Sequence, residues 1–297
     1  MSLGIAVSGI SIIQGNPKID PGLFAAELSV IDKGPYELNR VQKISAITFI
    51  KALSDAGIIL DEGNRKGIAI FLGNSYSIEE FKNNFSRSYK NTKPGLVNPS
   101  IFAFTTANSI ASWLAVQFGA RGINLTFTNG CVSSSQAIIA GCDSLISGKA
   151  DMAIAGGVSL VCEDFKDKFY KCGFKYEFAG FLVLERKKSA IGAGRRPRIT
   201  IEDFRQGFLS QANIEKLSNR KLPNELEDYR HYSDIKCVLT HLGNSLGENK
   251  FSYLNDSLGN AFSAAGVLGV SRVNKGNCVF FDVDSYGAYA ALKINAE

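Results

Sequence analysis

The sequence predicts an α/β protein with a largely parallel sheet covered on both faces. Three observations carry that expectation. From residue 4 onward, apolar runs of strand length alternate with amphipathic segments of helical period. The strand-like runs are almost continuously apolar, as strands buried on both faces are. The two halves of the chain also repeat the same strand-helix-strand outline without a tandem repeat of roughly 20 to 50 residues, which suggests a duplicated architecture rather than a solenoid.

Each element has its own signal. Residues 4–13 read as the first strand. Residues 38–57 form a helix, because Val41, Ile44, Ile47, Ile50 and Leu53 recur every three residues and Gly57 follows as a C-cap. Residues 67–73 are the second strand. Ser77, with Glu80 three residues later, predicts a capping box opening a polar helix toward Lys90, and residues 91–99 hold two prolines and read as loop. Apolar residues return over 99–119. Residues 124–128 are a short strand ending in an Asn129-Gly130 turn. The next helix faces inward with Ala137, Ile138, Gly141, Leu145 and Ile146 and ends at Gly148, and the strand 150–155 is expected to stop at Gly156-Gly157. Residues 181–184 and 198–201 read as strands, 210–232 as a polar surface excursion, 235–239 as a buried strand ending at His241, and 260–270 as a small-residue helix. Residues 278–283 and 290–294 close the chain as strands.

Composition narrows the class. The chain has 297 residues, 45% hydrophobic and 21% charged, which fits one large domain or two intimately packed ones and excludes wholesale disorder and a collagen-like repeat. No apolar run reaches the ~18 residues of a membrane helix, and no Lys or Arg precedes the apolar residues 1–13, so a cytoplasmic protein is expected. Six cysteines are scattered without a CxxC pair or a His/Cys metal spacing, so thiols are expected rather than disulfides or a metal site. A formal charge of +5 is too small an excess to imply nucleic acid.

Cys131 stands at the first turn of a helix that follows a strand. The helix dipole and the unpaired N–H groups of a first turn favour thiolate, and a sharp Asn129-Gly130-Cys131 turn can aim the Cys131 N–H at an oxyanion. The alternative is a small buried hydrophobe.

The stretch Thr128-Asn129-Gly130-Cys131-Val132-Ser133-Ser134-Ser135, followed by Ser147-Gly148-Lys149-Ala150-Asp151 and Ala155-Gly156-Gly157, resembles the nucleophile region of β-ketoacyl-acyl-carrier-protein synthases, the thiolase-fold condensing enzymes. Residues 97–108, Phe118-Gly119-Ala120-Arg121-Gly122 and Ala52-Leu53-Ser54-Asp55-Ala56-Gly57 are similar to its upstream segments, and Glu177-Phe178-Ala179-Gly180 with Leu182-Val183-Leu184-Glu185 to its Glu-Gly-Ala-Gly stretch. Residues 38–190 match in order and spacing. The resemblance implies a thiolase-like fold of duplicated βαβαβ halves, 1–190 and 191–297, in five α-β-α-β-α layers. It also implies fatty-acid or polyketide chemistry: Cys131 takes an acyl group from a carrier-protein or coenzyme A thioester, a malonyl thioester decarboxylates, and its carbanion attacks the acyl carbonyl. No cofactor or metal is implied.

His241, in Thr240-His241-Leu242-Gly243-Asn244-Ser245, falls where the family places its first histidine, with a satisfied core histidine as the alternative. Asn260, in Gly259-Asn260, falls where the elongating class has its second histidine, as in the Cys-His-Asn set of the initiating and chalcone-synthase-like classes; capping the next helix is its other reading. By the same resemblance Phe104, Thr105, Asn108, Asn244, Tyr286 and Gly287 bind substrate, while His231 lies in a polar stretch and reads as a surface residue. Departures are plain: Asn255 replaces a lysine, only 19 positions separate His241 from Asn260, and Asp284-Ser285-Tyr286-Gly287-Ala288-Tyr289 lacks the later glycines of the family's final loop. These leave open a non-condensing partner subunit of the chain-length-factor kind, or a thioester hydrolase or simple acyl transferase. Basic residues at Lys166, Lys168, Lys171 and Lys175, and again at Lys187, Lys188, Arg195, Arg196 and Arg198, suit an acidic carrier protein or form an ordinary solvated face. A homodimer or a heterodimer with a ketosynthase paralogue is expected through the edge at 124–128.

Overall fold

The computed structural model describes residues 4–16, 18–31, 38–91, 102–171, 174–218, 235–239, 251–253, 261–273, 275–284 and 286–297. The strands are β1 (Ile5–Gln14), β2 (Ile68–Gly73), β3 (Asn124–Phe127), β4 (Met152–Ser159), β5 (Phe178–Arg186), β6 (Ile199–Phe208), β7 (Ile235–Leu239), β8 (Phe251–Tyr253), β9 (Gly276–Val283) and β10 (Ala288–Ala296). The helices are α1 (Ala25–Ser29), α2 (Arg40–Asp55), α3 (Glu79–Asn91), α4 (Ser109–Phe118), α5 (Ser133–Ile146), α6 (Lys166–Lys171), α7 (Lys187–Gly192), α8 (Gln211–Ser218) and α9 (Ala265–Ser271).

The strands form one sheet in the order β3-β2-β4-β5-β1-β6-β10-β9-β7-β8. Outward from the central β1–β6 pair, each side reads first, fifth, fourth, second and third strand of its own half. The duplication expected from the sequence outline is therefore a repeated topology. The halves meet where Ile5, Ala6 and Val7 pair antiparallel with Ile201, Thr200 and Ile199. The sheet is mixed rather than largely parallel: β2 runs parallel to β3 and β4, and β7 to β8 and β9, but β5 and β10 return antiparallel beside β4 and β9.

Helix α2 covers the outer face of the first half with Val41, Ile44, Ile47, Phe49, Ala52 and Leu53 all buried. Its start is fixed by a capping box in which Asn39 Oδ1 accepts from Val41 N–H at 2.7 Å and Gln42 Oε1 from Asn39 N–H at 2.9 Å. On the other face lies α5, which packs against α9, and α9 in turn touches β9 and β7. These two helices are the middle layer of the α-β-α-β-α arrangement, and Ala137, Ile138, Cys142, Val267, Leu268 and Phe280 share its core.

Three local expectations need correction. Ser77 is not a helix cap: it is buried, its Oγ donates to Val158 C=O at 3.0 Å and accepts from Leu160 N–H at 3.0 Å, and α3 begins at Glu79. Gly156 and Gly157 lie inside β4 rather than ending it, because packing on both faces leaves them no room: a Cβ on Gly157 would stand 2.4 Å from Ser263 C=O, and one on Gly156 2.2 Å from the Phe181 ring. Ile146 is 42% exposed, since α5 leaves the core in its last turn. Among the described residues no helix is long and apolar enough to cross a membrane.

Candidate active site

Strand β3 leads into a single 3-10 turn, Gly130–Val132, that opens α5. Gly130 has φ +56, and nothing lies within 4 Å of where its Cβ would be, so the backbone conformation and not crowding requires glycine there. Cys131 is 5% exposed. It packs with Val161 and Phe174, and Phe169 of α6 closes against them.

Two serines meet beside the turn. Ser133 Oγ donates to Gly130 C=O at 2.6 Å. That uses the only proton of the Ser133 hydroxyl, so the single proton of Ser75 Oγ, 3.1 Å from Ser133 Oγ and 3.2 Å from the same carbonyl, is shared between these two acceptors. Ser75 is brought there by its neighbours: Asn74 N–H donates to Phe127 C=O at 2.9 Å, Asn74 Nδ2 to Ala107 C=O at 3.2 Å, and Ser75 N–H to Ser263 Oγ at 3.0 Å. The loop after β2 is thereby stitched to the end of β3, to the approach to α4 and to the second half of the fold.

The second half reaches α5 through a buried pair. Ser135 Oγ donates to Asp282 Oδ2 at 2.5 Å, and both residues are fully buried. Burial drives the Asp282 carboxyl well above the ordinary carboxylate range, with the Ser135 hydrogen bond opposing and Asp284 reinforcing the shift. Asp284 shapes the loop after β9, its Oδ1 accepting from Tyr286 N–H and Ala288 N–H at 2.9 Å each. Gly287 has φ +96, and a Cβ there would stand 2.3 Å from Leu209 C=O. Cys142, on the helix that follows the Cys131 turn, is fully buried and its thiol is pushed up by desolvation, which makes it a packing residue.

The sequence-selected residues fall in different places. His241, Asn244, Asn260 and His231 lie outside the described residues. Phe104 stacks on Phe81 with ring centroids 5.5 Å apart, in the outer core with α2 and α4, and Thr105 Oγ1 bonds back to Phe102 C=O at 2.7 Å. Asn108 is exposed and directly precedes α4. Its neighbour Ala107 is tied to Asn74 and hence to the serine pair. Tyr286 is 88% exposed at the tip of its loop.

Sequence reasoning missed Ser75, Phe169, Phe174 and Asp282. Only Asp282 carried a visible signal, a lone acid in the apolar run Cys278–Val283; Phe169 and Phe174 were hidden in a lysine-rich stretch. Among the basic residues, Lys166 pairs with Glu163 at 3.3 Å, Lys168 lies over the Phe165 ring, and Arg195 is engaged with Glu185. Among the described residues no group of three or more His, Cys, Asp or Glu could hold a metal ion.

A duplicated five-strand topology carrying a cysteine at the strand-to-helix turn defines a thiolase-like, ketosynthase-type protein. Residues 10–171 match the family description "Beta-ketoacyl synthase, N-terminal domain", and the chain belongs to the β-ketoacyl synthase family. The curated proteins it resembles include probable polyketide synthase 38 of Dictyostelium discoideum, 28% identical over 222 residues that make up 68% of this chain and 7% of that protein. Probable polyketide synthase 33 of the same organism is 31% identical over 193 residues, 59% of this chain and 6% of that one. The chain thus spans only a small part of these relatives. Among solved structures, the complex of a type II PKS acyl-carrier protein with its ketosynthase bound to the hexaketide has a TM-score of 0.75 at 17% identity, covering 99% of both chains. The ishigamide ketosynthase/chain length factor has 0.72 at 15%, covering 100% of both. At such identities the likeness is one of fold.

Proposed function

We propose that this chain is a condensing acyltransferase of polyketide or fatty-acid type, built from halves 1–190 and 191–297, with Cys131 as its acyl acceptor. The observation that carries this reading is the position of Cys131, on a glycine-dependent turn at the head of α5 in a family member. The Cys131 thiolate attacks the carbonyl carbon of an acyl thioester, the carbonyl oxygen becomes an oxyanion met by the Cys131 N–H, and as the carbonyl re-forms the C–S bond to the carrier breaks and the carrier leaves as a thiolate that takes a proton from solvent. In the second half-reaction a malonyl thioester loses carbon dioxide, and His241 and Asn260 donate hydrogen bonds to the resulting enolate oxygen. The carbanion then attacks the acyl carbonyl on Cys131, which releases a β-ketoacyl thioester and restores the thiolate. Phe104, Thr105, Asn108, Asn244, Tyr286 and Gly287 are assigned to the substrate channel. The donor is a carrier-protein or coenzyme A thioester. The assembly is a dimer of two copies or of this chain with a paralogue, through the β3 edge, where Leu125 is 49% exposed and Val116 of the neighbouring α4 83% exposed.

One observation favours a second reading, a partner subunit that does not condense. Where the family's final loop continues in glycines, this chain has Ala288 and Tyr289, only 1% and 8% exposed, whose side chains occupy space that glycines would leave open. Intact-protein mass spectrometry after incubation with acyl-coenzyme A and acyl-carrier-protein donors separates the readings. A single acyl adduct that vanishes in Cys131→Ala, followed by release of carbon dioxide from a malonyl thioester, supports condensation. No adduct with any donor, together with co-purification of a full-length synthase, supports the partner role.

A further inference from the structure

The hydroxyls on the Gly130 carbonyl have a consequence for the nucleophile itself. A trans peptide is planar, so the C=O of Gly130 and the N–H of Cys131 belong to one rigid unit and point in opposite directions. Any group that fixes the carbonyl therefore fixes the N–H. Ser133 Oγ holds it at 2.6 Å from within the first turn of α5, and Ser75 Oγ, from the loop after β2, lies 3.2 Å from the carbonyl and 3.1 Å from the Ser133 oxygen, so its one proton braces the carbonyl either directly or through Ser133. Ser75 is not adaptable, because its own N–H is committed to Ser263 Oγ at 3.0 Å and Asn74 before it is fully buried. The loop after β2 thus reaches this peptide plane, and the second half of the fold holds that loop in turn. An isolated serine at the start of a helix commonly bonds back to a carbonyl three residues earlier. A second hydroxyl, delivered from another strand and anchored from the other half of the fold, is not part of that local habit.

We propose that Ser133, supported by Ser75, is the positioning residue that aims the Cys131 N–H at the oxyanion formed when Cys131 is acylated. The proposal rests on the reading of Cys131 as acyl acceptor. Neither serine takes part in bond making; each acts through the Gly130–Cys131 peptide. Preorganised donors stabilise an oxyanion because they need no reorientation as charge develops, and a freed peptide plane would lose that advantage while leaving the thiol in place.

The test compares two reactions at the same sulfur in the full chain, each followed by mass mapping of the Cys131 peptide. Acylation by an acyl-coenzyme A thioester passes through an oxyanion; alkylation by iodoacetamide is a displacement at a saturated carbon and does not. Ser133→Ala is expected to slow acylation by at least ~10-fold, less than the ~10²–10³ of deleting a donor outright, while alkylation stays within about twofold. Ser75→Ala is expected to act in the same direction by a smaller factor, and Ser133→Thr, which keeps the hydroxyl, to restore acylation. Equal losses in both reactions, or acylation at the wild-type rate in Ser133→Ala, would overturn the proposal. A wild-type protein that is alkylated at Cys131 but accepts no acyl group from either acyl-coenzyme A or acyl-carrier-protein donors removes the parent reading instead, and with it the oxyanion to be aimed at. If Ser133→Ala does not fold, Ser75→Ala with the same pair of reactions decides between the outcomes.

Discussion

Ser135 and Asp282 share a 2.5 Å hydrogen bond across the boundary between the two halves of the fold, and neither side chain is accessible to solvent. The carboxyl is the only acid in its strand and stands on the same strand face as the buried Phe280 and Cys278. Its other oxygen, Oδ1, has no hydrogen-bond partner among the described residues. A buried carboxylate with one hydrogen bond is costly; a neutral carboxylic acid in the same place is far less so.

That sets the sign of a pH effect. Burial raises the folded-state pKa of Asp282 above the ordinary 3.8, so the folded chain keeps a proton that the unfolded chain releases. The stability this group contributes is full below the unfolded value and falls as pH rises toward the folded one, by up to about 1.4 kcal/mol per pH unit. Asp282→Asn keeps an oxygen to accept from Ser135 and removes the titration. Urea unfolding from about pH 5 upward should show the variant gaining on the wild type as pH rises. Parallel stability curves would mean that Asp282 is ionised in the fold.

Glu177 is the opposite case, a buried acid with a full set of partners. Its Oε2 accepts from Ile19 N–H at 2.8 Å and its Oε1 from Val161 N–H at 3.0 Å, while Arg40 NH1 reaches Oε1 at 3.0 Å and NH2 reaches Oε2. Val161 belongs to the cluster around Cys131, so the ion pair anchors one wall of the site. Arg40→Ala leaves a buried carboxylate without its cation and should cost about 3 kcal/mol in thermal or urea unfolding. Exposed pairs such as Arg65 with Glu62 should change stability by less than about 1 kcal/mol. Equal effects in the two variants would show that the buried pair is replaceable.

The contrast between these acids marks what the sequence could tell. Period and punctuation locate most elements: the Val41-Ile44-Ile47 spacing and Gly57 bracket α2 to within about two residues, and the lone cysteine after Asn129-Gly130 is where a strand turns into a helix. The strand order is not in any single window, because β1 pairs with β5 and β6, partners separated by more than a hundred residues of chain. Glycines misled in β4 for a related reason. Gly156 and Gly157 read as a strand end, yet they are small because Phe181, Ser134 and Ser263 press on them from other elements. Phe104, selected by resemblance, sits with the outer core, whereas Phe169 and Phe174 pack around the cysteine and Ser75 reaches the Gly130 carbonyl before it through tertiary contacts that leave no periodic trace.

Gly157 offers a sharp test of that close packing. A methyl group there would meet Ser263 C=O at 2.4 Å and Ala264 Cα at 2.7 Å, both backbone atoms that cannot swing aside. Gly157→Ala should therefore destabilise by about 1–3 kcal/mol or more. Gly192, the last residue of α7, has nothing within 4 Å of its missing Cβ, so Gly192→Ala should be neutral or stabilise by up to about 1 kcal/mol. Chemical denaturation of the two variants side by side checks both, and a tolerated Gly157→Ala would show that the two halves can part at this seam.

The aromatic cover of Cys131 can be probed by size. Phe174 is 3% exposed within the cysteine cluster, and Phe169 bridges it to Tyr76, with ring centroids 5.8 Å from Phe174 and 5.4 Å from Tyr76. Phe169 is only half-buried and lies on α6, whose other residues are all exposed, with the Tyr170 ring also touching Phe174. Phe174→Ala removes a buried ring and should cost about 3 kcal/mol; Phe169→Ala should cost less, since part of its surface is already wet. Both should speed modification of Cys131, and the gain should be larger for a bulky maleimide than for a small methylating disulfide reagent, because the rings obstruct reach rather than change the thiol. Mass mapping of the Cys131 peptide over time reads the ratio. Equal acceleration of both reagents would mean that the variants loosen the fold as a whole and that the rings do not screen the cysteine.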